Sequence, residues 1–182
     1  MTPSSSFFAQ SLKGYQSLSG ALDKWLSPLA LLSARLLVAK VFLASGLSKW
    51  NGFLDFNTDK YDLFLYEFFC PDPIRPGALL LCDPTTLDYP EGSWIISAIE
   101  GLAVTAGVLE VVLPILLIIG FISRPAALGL LAMTLFIQLA VFPTWSHWWN
   151  PAAWWALCLL VIIAKGPGKL SLDALFKVER SQ

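Results

Sequence analysis

Four apolar runs constrain this chain more than anything else in it. They cover Pro28–Trp50, Trp94–Gly120, Pro125–Phe142 and Trp148–Lys165. A helix needs about 20 apolar residues to cross a bilayer. The first three runs meet that length, and the fourth does so if the preceding tryptophans extend it. With 14% charged residues against 56% hydrophobic ones, the chain falls well below the ~25% charge of a soluble domain. The expectation is an all-α, integral-membrane four-helix bundle. A net charge of −1 argues against nucleic acid as a partner, because that needs a basic face. The bilayer is the expected partner.

Orientation follows the basic residues in short flanks. Lys13, Lys24, Arg124, Lys165, Lys169, Lys177 and Arg180 fall on one side. Lys60 and Arg75 fall on the other, with Lys49 at its border. Both termini are therefore expected in the cytoplasm, and an acidic loop over 51–93 outside it. Trp50, Trp94, Trp145, Trp148 and Trp149 mark the outer ends of runs, and Trp25 an inner end, as interfacial anchors do. A cleaved signal peptide fits poorly, since its apolar region would not hold Arg35 and Lys40.

Three parts follow: an N-terminal segment (1–27), the membrane domain with its loop (28–177) and a tail (178–182). In the first part Leu18, Leu22, Trp25 and Leu26 recur at helical spacing. This predicts a short helix on the inner surface before the chain turns in at Pro28. Phe53–Phe69 mixes aromatics with acids and reads as an interfacial helix. Cys70–Gly92, rich in Pro and Asp, reads as an ordered loop. Ser171 is placed to cap a short terminal helix.

Ionisable residues inside the runs mark a polar interior, because at that depth they are expensive unless paired or functional. Glu100, Ala103, Gly107, Glu110 and Pro114 share one helical face. Pro114 cannot bond back to the carbonyl of Glu110. Arg35, Ala39, Phe42, Gly46 and Lys49 share a face of the first run, with Lys40 about 140° away from Arg35. Measuring depth from Pro28 and from Gly120, at about 1.5 Å per residue, predicts an inner pair of Glu110 with Lys40 or Arg35. It also predicts an outer pair, Lys49 with Glu100. Arg35, Lys40, Glu110 and Gln138 form the candidate polar site, and the charges either bind a ligand or only hold the bundle together.

Cys70 and Cys82, twelve residues apart in the outer loop, are a candidate disulfide, worth about 3 kcal/mol in the chain-entropy view. A redox-active or metal-binding pair is the weaker reading, since the Cys-x-x-Cys spacing is absent. Cys158 reads as a packed apolar residue. His147, the single histidine, sits among tryptophans and is expected to be structural, with a metal contact or a quinone hydrogen bond as minor readings. No metal-ligand pattern, nucleophile elbow, phosphate loop or dinucleotide fingerprint appears. An enzyme is therefore not expected.

The runs Ala34-Arg35-Leu36 through Ser48-Lys49-Trp50, Glu110-Val111-Val112-Leu113-Pro114, Gly120-Phe121-Ile122-Ser123-Arg124, Ala126–Gln138 and Lys165-Gly166-Pro167-Gly168, taken in order, resemble the DoxX family of small bacterial inner-membrane proteins. Arg35, Lys49, Glu110, Arg124 and Gln138 match its recurrent polar positions. Tyr66-Glu67 resembles the loop of the HvfX-like branch, associated with maturation of copper-binding peptide natural products (RiPPs). The Cys70–Gly92 segment departs from that branch as an insertion. The resemblance implies a multi-pass protein of the bacterial inner membrane and protein partners from a maturation or redox complex. It also implies quinone as a candidate cofactor.

Overall fold

The computed structural model describes residues 3–177, with side chains from Gln10 onward; the tail 178–182 lies outside the described residues. Helix α1 (Pro3–Leu47) is followed by a two-stranded hairpin, β1 (Trp50–Gly52) with β2 (Asp55–Phe56). Helix α2 (Asp59–Asp62) runs into a π-helical stretch, Leu63–Phe68. After an irregular loop come α3 (Trp94–Ile119) and α4 (Ser123–Phe136), the latter extended by a π-helical stretch, Ile137–Val141. The short α5 (Trp145–His147) continues through a π-helical stretch (Trp148–Ala152) into α6 (Ala153–Lys165). The C-terminal α7 (Leu172–Phe176) closes the fold. Four helical spans, Gln10–Leu47, Trp94–Ile119, Ser123–Val141 and Trp145–Lys165, are long and apolar enough to cross a membrane.

The packing has two tiers. At the termini end, α1, α3, α4 and α6 share a core of Val38, Phe42, Leu117, Leu130 and Leu159. Small residues let these helices approach closely, as Ala39, Ala126 and Ala127 do here. At the loop end, α3 outruns α1. Its Ile99 and Ala103 are covered instead by Phe64, Leu65, Phe69 and Tyr89 of the loop region. Aromatics of the 53–69 segment thus pack on a helix, and the helix expected there spans 59–68. The Cys70–Cys82 disulfide (Cα–Cα 5.6 Å) staples the loop. Arg75 fastens it to α4's end by donating to the carbonyls of Val141 and Glu67, and it lies 4.4 Å from the Phe142 ring centroid.

Two expectations need correction. The chain does not turn at Pro28, because α1 runs through it as one helix. Trp50 and Trp148 are partly buried rather than fully exposed at the surface. Trp50 packs edge-on against Phe56 at 5.3 Å, and Trp148 packs against the core. Trp94, Trp145 and Trp149 are exposed, as anchors should be.

Candidate functional site: a carboxylate beneath an aromatic cavity

Antiparallel helices α1 and α3 are locked together at two levels. Where α3 ends, a Cβ on Gly120 would collide with the Arg35 guanidinium. Ten residues back along α3, a Cβ on Gly46 would lie 2.7 Å from the Glu110 carbonyl carbon and oxygen. Arg35 to Gly46 is eleven residues, about 16 Å of helix. Arg35, rather than Pro28, is therefore the residue level with Gly120, and Pro28 lies about 10 Å further out. That offset of two turns overturns the pairing expected from depth.

Lys49, just past the end of α1, reaches Glu110: Nζ to Oε2 is 2.5 Å, with both side chains buried. The Lys49 ammonium also donates to the Ser45 hydroxyl (3.1 Å) and the Ser45 carbonyl (3.4 Å). Glu100 is half-buried and makes no ion pair among the described residues, because Ile99 takes the buried position one residue earlier. Ala103, Gly107, Glu110 and Pro114 do form the buried stripe expected of α3.

The four residues of the candidate polar site are not brought together. Arg35 is fully buried at the termini end, donating to the Leu170 carbonyl and attracted by Asp173. Lys40 faces outward from the bundle, where a long side chain can snorkel toward the interface. Gln138 sits at the loop end. Its Nε2 donates to the Thr144 carbonyl (3.1 Å), and its Oε1 lies 2.6 Å from His147 Nδ1. His147 also stacks on Phe142 with ring centroids 4.9 Å apart. Among the described residues, no group of three or more His, Cys, Asp or Glu is placed to hold a metal.

Sequence reasoning missed Asp173. It is fully buried and caps the start of α4, accepting from Ile122 N–H (2.8 Å), Ser123 N–H (3.0 Å) and the Ser123 hydroxyl (2.8 Å). An acid in the second position of a short capped helix carries no signal that it serves another helix 50 residues away.

Between the tiers lies a cavity of about 390 Å³, open on one side. Phe64, Phe68 and Phe69 wall it from the loop, Leu102, Ala106 and Leu109 from α3, and Ala132, Phe136 and Val141 from the α4 span. Leu102 and Phe136 line it and remain 39% and 43% exposed. Its polar side chains are Glu110 and Thr105. The size is in the range of small-molecule sites, which are apolar with few polar groups.

A family model for DoxX matches residues 30–143, most of the chain, taking in the C-terminal part of α1, the loop, α3 and the α4 span. The chain belongs to the DoxX family. No curated protein and no solved structure gives a match. The matched region of this DoxX protein holds Arg35, Lys49 and Glu110 as well as every residue lining the cavity.

Proposed function

We propose that this DoxX protein is a non-catalytic accessory subunit of the bacterial inner membrane, with both termini cytoplasmic, that holds a small, mainly apolar ligand taken from the lipid phase. The observation that carries this reading is the cavity with the buried Glu110 among its lining residues. A buried ion pair needs only its partners, yet here an aromatic-walled space opens beside it. The likeness of Tyr66-Glu67 to the HvfX-like branch supports a place beside a copper-peptide maturation or metal-stress system. The cavity's aromatic walls favour a second reading as well, a subunit that exchanges electrons with membrane quinone, since flat rings stack on such walls. A pure scaffold, with charges that only pair, is the competing account.

Mass spectrometry of extracts from purified protein tests the reading. An apolar small molecule, enriched over bulk phospholipid, is expected with the wild type and lost in Ala132→Phe, which fills the cavity from an exposed position. No enriched molecule, or equal retention in the variant, would favour the scaffold.

A further inference from the structure

The hydrogen-bonding capacity of the cavity wall is lopsided. Lys49 has three donor hydrogens, and all three have acceptors: Glu110 Oε2, the Ser45 hydroxyl and the Ser45 carbonyl. Thr105 has one, and it goes to the Gly101 carbonyl at 2.8 Å. Glu110, by contrast, uses one oxygen for Lys49, and its other oxygen accepts no hydrogen bond among the described residues. That second oxygen is not among the sealed, unpartnered polar atoms of the interior, and Glu110 lines the cavity. The polar residues that line the space therefore offer side-chain acceptors and no spare side-chain donor.

We infer that the cavity selects a lipid-phase ligand whose polar end is a hydroxyl donor, a phenol, hydroquinone or alcohol, and discriminates against the matching carbonyl or ether. This rests on the ligand-holding reading above and narrows its chemistry. A carbonyl oxygen brought beside Glu110 would meet only lone pairs and lose its solvation without compensation. A hydroxyl would place a charge-assisted bond on the open carboxylate oxygen while its ring stacks on Phe64, Phe68 or Phe136. If the second reading holds, the protein retains the reduced carrier and releases the oxidised one.

The test uses the full chain in nanodiscs and two probes, 4-decylphenol and its methyl ether, which differ by the donor alone. Calorimetric titration is expected to show the phenol binding at least about tenfold tighter, the size of one hydrogen bond to a charged group. Decylhydroquinone should exceed decylquinone in the same way. Ala132→Phe should abolish phenol binding, and phenol binding that survives it would place the molecule elsewhere and overturn the inference. Equal binding of phenol and ether would overturn the donor rule while leaving a ligand-holding cavity intact. Binding of neither would overturn both.

Discussion

Gly46 and Glu110 show how tightly single residues constrain this bundle. With a Cβ at Gly46 only 2.7 Å from the Glu110 backbone, Gly46→Ala forces α1 and α3 apart. A loss of about 1–3 kcal/mol is expected, as for other overpacked contacts, read as a lower midpoint in detergent thermal unfolding. Lys49 and Glu110 form a buried pair. Removing one partner strands the other charge, so Lys49→Met is expected to cost about 3–5 kcal/mol. The double variant Lys49→Met/Glu110→Leu should recover most of that loss, because an apolar replacement of both needs no counter-charge. A double variant as unstable as the single would mean that the pair is not what holds these helices. The charged types at these positions were legible in the sequence. Which charge meets which was not, because that depends on where α1 sits relative to α3.

At the level of elements, α4 begins in an unusual way. Its N-cap residue Ile122 has φ +44° and offers no side-chain cap. Asp173 supplies the cap from the far end of the chain, and α7, led by the N-cap Ser171, holds it there. Asp173→Ala should cost more than the usual ~0.5–2 kcal/mol of a lost cap, because it also takes the nearby counter-charge from the buried Arg35. Hydrogen exchange should show the loss first in the opening turn of α4. The C-terminal helix is thus part of the bundle's lock, although its sequence shows only a short capped helix. Helix α1 gives the opposite lesson. Pro28 reads as a boundary, yet the helix continues through it, since a proline costs one backbone bond and flanking turns can carry that loss.

Across the whole molecule, the loop behaves as a second tier rather than a tether. The Tyr89 hydroxyl donates to the Leu65 carbonyl (2.8 Å) from within the loop-end core. Burial there, with Tyr66 nearby, pushes the phenol up to about 12. An unfolded tyrosine titrates near 10, so the unfolded chain binds fewer protons between those values. The stability Tyr89 contributes is complete below about pH 10 and falls as the pH rises toward 12. Tyr89→Phe should flatten that alkaline loss in pH-dependent unfolding followed by tryptophan fluorescence.

Sequence alone determined the class of this protein and much of its chemistry. Four apolar runs leave only a helical membrane bundle, since a chain in lipid must satisfy its backbone internally. The small-residue stripe of α3, the disulfide pair and the Ser171 cap are local or periodic, so they could be read directly. Tertiary structure decided the rest. The Lys49–Glu110 pair, the service of Asp173 to α4 and the cavity all depend on how far one helix slides along another. The cavity exists because α3 outruns α1 and the aromatic loop fills the gap incompletely. Periodicity fixes which face of a helix is buried, but only packing against its neighbours fixes its depth.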